Sequence, residues 1–162
     1  AALANLRANV GAYAAAGGAR RGAATAAQLV WGNAEDAAAV AQMGPFDLVV
    51  ASDVVFAAPL VGPLLETIRQ LLAGPAGEAR AGRAAGGPCC WLCLQQRDPD
   101  AHALLLAEAP ATFKVKQLSF EGLPGFEAAA ELECVLLRLR LRAAPAPAKR
   151  ARSAPGGPEG GG

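Results

Sequence analysis

Apolar residues recur with two different periods along the chain, and segments of the two kinds alternate. Leu60, Leu64 and Ile68 fall on one stripe of a helix, whereas Glu66 and Arg69 fall mostly off that stripe. Other segments alternate apolar and polar residues or are continuously apolar, as strands are. The periods predict helices over 1–16, 34–43, 59–72 and 98–109, and strands over 24–31, 46–52, 88–95, 113–120 and 131–142.

The order of these elements predicts an α/β fold, because strands that alternate with helices form mostly parallel sheets. No helical pattern separates strands 113–120 and 131–142, so a closing antiparallel pair is predicted there. The length of 162 residues suits one domain, which we assign to 1–142 with a flexible loop over 74–87. Residues 143–162 contain no Leu, Ile, Val or aromatic residue, so this Pro-, Gly- and Ala-rich tail is predicted to be disordered.

The segment 46–56, FDLVVASDVVF, is the most informative stretch of the sequence. Its nearly continuous run of apolar and small residues predicts a strand covered on both faces. Asp53 follows that strand at its carboxyl end, where open α/β sheets bind their ligands. A functional site is therefore expected around Asp53.

Charge and hydropathy limit the classes of partner. The formal net charge is +1, which gives no argument for nucleic-acid affinity, so a nucleic-acid partner is not expected. No apolar run is long enough to predict a transmembrane helix, so no membrane partner is expected either. We expect a cytoplasmic location, with a nuclear one left open.

Four cysteines raise the question of a metal or redox site. Cys90 and Cys93 have CxxC spacing, but residues three apart on a strand point to opposite faces. Cys89 and Cys93 share a face but lie roughly 13 Å apart along a strand. That separation exceeds tetrahedral zinc ligation, so we expect inert core thiols in a reducing compartment, Cys134 included, and no metal.

Several motifs in order resemble one enzyme family. A strand ends in LVWG at 29–32, FD at 46–47 opens the next strand, and SDVVF follows at 52–56. In the opening helix of this chain, Leu6, Asn9 and Val10 look like the leucine-x-x-asparagine-valine of the helix after the family's second strand, although a second asparagine usual there is Tyr13 in this chain. This order resembles the seven-strand S-adenosylmethionine-dependent methyltransferases, specifically the protein-lysine methyltransferase-like branch known as methyltransferase family 16.

The resemblance implies a fold, a cofactor and roles for residues. It implies a partial Rossmann-like seven-strand sheet, S-adenosyl-L-methionine as cofactor and a protein lysine side chain as substrate. Trp31 would stack on the adenine, and Ala51 and Ser52 would approach the cofactor at the strand end. Asp53 would orient the incoming amine, and Phe56 would line the channel for its alkyl stem.

Structural alternatives stand beside these roles. Trp31 can be a core aromatic, and Phe56 can be ordinary packing. Asp53 can cap the following helix, a common task for Asp after a strand. Arg97, which the family often has after the next strand, is expected to be solvated or paired at the surface.

One expected element of the family is missing from the sequence. No glycine-rich loop follows an apolar strand and an acidic residue, since the pair Gly17 and Gly18 has no such strand before it. We therefore expect an N-terminally incomplete methyltransferase, with strand 24–31 lacking its neighbours and strand 46–52 unpaired along one edge. The open alternatives are a non-catalytic methyltransferase-like scaffold, or a methyltransferase that acts on small molecules or RNA.

Overall fold

The computed structural model describes residues 2–16, 22–74, 87–121, 124–125, 129 and 132–142. The predicted tail 143–162 lies outside the described residues, and so does the interior of the predicted loop, 75–86. The glycine pair at 17 and 18 also lies outside them.

Helices and strands alternate along the described residues between 34 and 118, and most of the predicted elements are present. Each helix lies within a few residues of its predicted bounds, and four of the five predicted strands are present. The elements are α1 (Ala2–Ala15), α2 (Ala34–Ala41), β1 (Leu48–Ser52), a 3-10 turn (Ala58–Leu60), α3 (Val61–Ala73), β2 (Cys89–Gln95), α4 (Pro99–Thr112), β3 (Phe113–Leu118) and β4 (Cys134–Leu141).

The four strands form one mixed sheet in the order β1-β2-β4-β3. Strands β1 and β2 are parallel, and Ser52 is in register with Cys93 at their carboxyl ends. Strand β4 is antiparallel to both β2 and β3, which confirms the predicted closing pair. The α/β class is thus confirmed, while the described sheet has four strands and not the seven of the resembling family.

The hydrophobic core lies between one face of this sheet and the helices α3 and α4. Helix α3 turns its apolar stripe toward the sheet because residues three and four apart share a face. Helix α4 is capped at its N-terminus by Asp98, whose carboxylate accepts hydrogen bonds from the backbone N–H groups of Asp100 and Ala101. The buried side chains of this core include Val61, Leu64, Ile68, Leu92, Leu94, Leu105, Phe113, Leu137 and Leu139.

The predicted strand 24–31 is wrong. Residues 22–30 have no regular secondary structure, and no strand of the described sheet pairs with them. A strand requires ladder hydrogen bonds to a neighbour, and here the backbone N–H of Val30 donates to the Asp36 carboxylate instead, at 2.9 Å.

The prediction that the strand of the 46–56 segment is covered on both faces is also wrong. Val49 and Ala51 pack against the core, but Leu48 is exposed and Val50 is 70% exposed. The packed helices α3 and α4 cover only one face of the described sheet. Strand β1 also pairs with β2 alone among the described strands, so its other edge is unpaired there, as expected.

The cysteines are less uniformly buried than predicted. Cys90 is fully buried, whereas Cys89, Cys93 and Cys134 are half-buried. These three half-buried cysteines lie on the sheet face opposite the core, because residues next to one another on a strand point to opposite faces.

Within the part of the chain that the structure describes, no helix has the length and apolar character needed to cross a bilayer.

Candidate active site at the carboxyl ends of two parallel strands

Asp53 lies directly after β1, beside the carboxyl end of β2. Its backbone N–H donates to the carbonyl oxygen of Cys93 at 3.0 Å and extends the ladder one residue past the strand. Its φ of 53° is in the left-handed region, which costs most residues free energy but which Asp tolerates better than most. The chain therefore turns sharply at this residue and leaves the carboxylate at the sheet edge.

The Asp53 carboxylate reaches across to the residues that follow β2. One oxygen accepts from the backbone N–H of Gln95 at 3.4 Å, and the other lies 3.5 Å from Nη2 of Arg97. The side chains of Asp53 and Arg97 are 49% and 63% exposed. Arg97 is thus paired at the surface, as predicted, and its partner is the candidate catalytic residue.

The alternative that Asp53 caps the next helix is not supported by the structure. Helix α3 has Leu60 at its N-cap, and the preceding 3-10 turn has Ala57. Neither position makes a side-chain capping bond. The hydrogen bond of the Asp53 side chain goes to β2 instead, 42 residues along the chain.

Trp31 stands on a turn that is fixed to helix α3. The next residue, Gly32, has a φ of 81°, and a Cβ added to it would lie 3.2 Å from Cβ of Pro63. The Gly32 N–H donates to Oγ1 of Thr67 at 3.1 Å, and that hydroxyl donates in turn to the Pro63 carbonyl at 2.9 Å. Glycine is required here both for its backbone conformation and for close approach to the helix.

Trp31 and Phe56 form an aromatic pair. Their ring centroids lie 6.3 Å apart with planes inclined by 48°, within the range of favourable aromatic contacts. Trp31 is half-buried and packs against the core, while Phe56 is 54% exposed. Trp31 therefore contributes to the core, which is one of the two alternatives that the sequence allowed. Phe56 is a surface aromatic residue whose ring contacts Trp31.

The remaining predicted site residues end strand β1. Ala51 packs against the core, and Ser52 is exposed on the opposite face of the sheet. The structure therefore brings Asp53 to Arg97 and Trp31 to Phe56, and the short segment 53–56 connects the two pairs. Sequence reasoning missed Thr67 and Gln95; helical periodicity placed Thr67 on α3, but no local signal indicates a bond to Gly32.

The environment of Asp53 includes a thiol. Partial burial raises the pKa of Cys93, and the neighbouring Cys134 and the negative charge of Asp53 raise it further. The deeper Cys90 has its pKa raised to about 12, chiefly by burial. Both groups therefore stay protonated near neutral pH, and neither is an activated nucleophile.

Three concavities of the described surface, of about 410, 310 and 330 Å³, lie away from these residues. The largest of the three is lined by one side of the 22–30 segment, by helix α2 and by Phe46. None of them is lined by Trp31, Ser52 or Asp53. Among the described residues, no cluster of three His, Cys, Asp or Glu side chains is placed to hold a metal ion.

Comparison with known proteins finds one family that resembles the first part of the chain. No curated protein sequence matches the chain significantly. Residues 2–77 match the family model described as lysine methyltransferase, a span that contains Trp31, Ala51, Ser52, Asp53 and Phe56. Through this segment, which is slightly less than half of the chain, the protein is similar to the lysine methyltransferase family.

Proposed function

We propose that this protein is an S-adenosyl-L-methionine-dependent protein-lysine N-methyltransferase. The observation that carries the proposal is the family match over 2–77, which includes the whole segment from β1 to Phe56. The position of Asp53 supports it, because ligands of open α/β sheets bind at the carboxyl ends of strands. The family match supports a methyltransferase. The identities of the cofactor and of the lysine substrate are our proposal.

The described residues fit one side of such a cofactor. The half-buried Trp31 ring offers an apolar surface for a nucleoside base, and Phe56 lies beside it. Ala51 and Ser52 are small residues at the end of β1, so their side chains do not obstruct a ligand at the strand end. We propose that Trp31, Ala51 and Ser52 contact the cofactor, which supplies an electrophilic methyl group when bound.

The proposed role of Asp53 is to orient the substrate amine. A carboxylate at the sheet edge attracts the lysine ammonium and holds the amine nitrogen in line once the proton has left, which lowers the barrier through positioning. Arg97 and the Gln95 N–H restrain the carboxylate from the opposite side. Phe56 would pack along the alkyl stem of the lysine, since its ring is exposed and lies three residues from Asp53.

Transfer of a labelled methyl group tests this proposal. The 162-residue chain is incubated with S-adenosylmethionine labelled in the methyl group and with a cell extract, and labelled lysine is measured after hydrolysis of the proteins. We expect labelling that falls about 10²-fold in Asp53→Asn through loss of positioning. Glu108→Gln, at an exposed position of α4, serves as the matched control and should leave labelling unchanged.

The non-catalytic scaffold is the second candidate, and one observation favours it. None of the three concavities of the described surface is lined by Trp31, Ser52 or Asp53. For the isolated chain we therefore expect cofactor binding weaker than micromolar in titration calorimetry. Absence of any lysine labelling would support the scaffold and reject catalysis by this chain, while label in RNA or small molecules would reject the lysine substrate.

A further inference from the structure

Cys93 and Cys134 are half-buried and lie near each other on the sheet face opposite the core, close to Asp53. Cys134 is in register with Gln95, and Cys93 is in register with Leu136, so the two cysteines are diagonal neighbours on strands β2 and β4. Both side chains lie on the same face of the sheet, because Cys93 and Gln95 alternate with core-facing residues of β2 and Cys134 is opposite Gln95. Both are free cysteines and both are partly accessible.

The separation of the two backbones permits a disulfide after a small shift. Diagonal neighbours on antiparallel strands lie about 7–8 Å apart, beyond the usual Cα separation of about 6.8 Å or less in disulfides, so the backbone must move to form the bond. Cys134 is the first residue of β4 and follows Glu133, whose φ is 53°. The end of a strand can approach its neighbour at less cost than a central residue can, because fewer ladder bonds restrain it.

The other two cysteines are not placed for this reaction. Cys90 is fully buried on the core face of β2, and Cys89 is separated from Cys93 by roughly 13 Å of strand. The CxxC spacing of Cys90 and Cys93 therefore has no redox meaning in this structure. The thiol pair is formed between strands, 41 residues apart in sequence.

We propose that Cys93 and Cys134 form a reversible disulfide when the protein meets hydrogen peroxide. The Cys134 thiolate attacks one peroxide oxygen, the O–O bond breaks, and a sulfenic acid and hydroxide form. The sulfur of Cys93 then attacks the sulfenic sulfur, the S–O bond breaks, and water leaves with the proton of Cys93. Two thiols are oxidised and one peroxide is reduced to two waters.

The order of these steps follows from the environment of Cys93. Burial and the negative charge of Asp53 raise the pKa of this thiol, so it is the poorer first nucleophile and acts as the resolving thiol. The disulfide tightens the junction of β2 and β4 two residues before Gln95, whose N–H donates to the Asp53 carboxylate. Oxidation thus acts on the proposed site, although the disulfide itself does not depend on methyltransferase activity.

Peptide mapping of the peroxide-treated protein tests the proposal. The folded chain is treated with hydrogen peroxide, alkylated, digested without reduction and analysed by mass spectrometry. We expect a linked pair of peptides that contain Cys93 and Cys134, a mass loss of two hydrogen atoms in the intact chain, and full reversal by dithiothreitol. Cys89→Ser should keep the linked pair, whereas Cys93→Ser and Cys134→Ser should each abolish it.

Several outcomes would overturn the proposal. A link through Cys89 or Cys90, a disulfide between two molecules, or oxidation to sulfinic acid without any link would each do so. The mapping of the unaltered chain decides the question even if a serine variant fails to fold. Labelling assays do not enter the result, so failure of the proposed methyltransferase function is distinguishable from failure of the disulfide.

Discussion

The side-chain oxygen of Thr67 lies 3.1 Å from the backbone nitrogen of Gly32 and holds the turn that carries Trp31 against helix α3. Thr67 is the buried polar residue of the described part of the chain, with 3% of its surface exposed. Its hydroxyl is satisfied on both sides, as acceptor from Gly32 and as donor to Pro63. A buried polar group that is fully hydrogen-bonded fixes one arrangement of its neighbours, because any other arrangement leaves a polar group without a partner.

Replacement of Thr67 by Val should destabilise the fold. Thr67→Val keeps the shape of the side chain but leaves the Gly32 N–H without its acceptor, at a cost of about 1–3 kcal/mol in the free energy of unfolding. Urea denaturation measures this loss, and tryptophan fluorescence should change because the Trp31 turn is released. Thr67→Ser retains the hydroxyl and should recover most of the stability; equal stability of all three proteins would contradict the prediction.

The sequence correctly predicts the elements that a local pattern of apolar and polar residues defines. The stripe of Leu64 and Ile68 identifies α3, and the acidic residue after an apolar run identifies the sheet edge at Asp53. Strand 24–31 and the second covered face of β1 failed for a common reason. Periodicity reports which side of a segment is apolar, but it does not report whether a neighbouring strand or helix is present to pair with it or cover it.

The contacts that build the candidate site are long-range and therefore not visible in local patterns. Gly32 and Thr67 are 35 residues apart, and Asp53 and Arg97 are 44 apart. The resemblance singled out Trp31 and Asp53 one by one. It did not indicate that a threonine on α3 fixes the first, or that the backbone at Gln95 and the guanidinium of Arg97 restrain the second.

The left-handed backbone at Asp53 should make stability depend on the residue type at this position. Asp53→Gly and Asp53→Val both remove the carboxylate, but glycine adopts a φ of 53° freely and β-branched valine does not. We expect the valine variant to be less stable than the glycine variant by about 1–2 kcal/mol in urea denaturation.

The neighbouring strand residue supplies the matched control for Asp53. Ser52 is exposed at the end of β1, where an extended backbone favours valine over glycine. Ser52→Val should therefore be at least as stable as Ser52→Gly, the reverse of the order at position 53. The same order at both positions would mean that the backbone of Asp53 is not strained in solution.

Acid should remove one local contribution to the stability of α3. The Arg69 guanidinium hydrogen-bonds Glu66 and lowers the pKa of that carboxyl from 4.5 to about 2, with a further bond from Gln70. A carboxyl with a lower pKa in the folded state stabilises the fold above its unfolded pKa. This contribution is present above pH 4.5 and is lost as the pH falls toward 2.

The size of the Glu66 effect should be small, because both side chains are nearly half exposed to solvent. We expect less than about 1 kcal/mol, the range of exposed ion pairs. Thermal unfolding across this pH window measures it, and Glu66→Gln should show a correspondingly weaker pH dependence. An unchanged pH dependence in the variant would show that the pair contributes nothing to folding.

The exposed edge of β1 should promote self-association. Val50 is 70% exposed, and β1 pairs with β2 alone among the strands that the structure describes. Natural edge strands carry charged residues, lysine above all, because an apolar edge pairs with other chains. Val50→Lys should weaken self-association about tenfold or more, equivalent to about 1.4 kcal/mol, with little effect on unfolding because Val50 is outside the core.

Sedimentation at increasing protein concentration measures this effect. Ala39→Lys is the matched control, since it adds the same charge at an exposed position of helix α2. If both variants reduce association equally, net charge and not the strand edge is responsible. If neither does, association proceeds through another surface, and the exposed valine of β1 has no part in it.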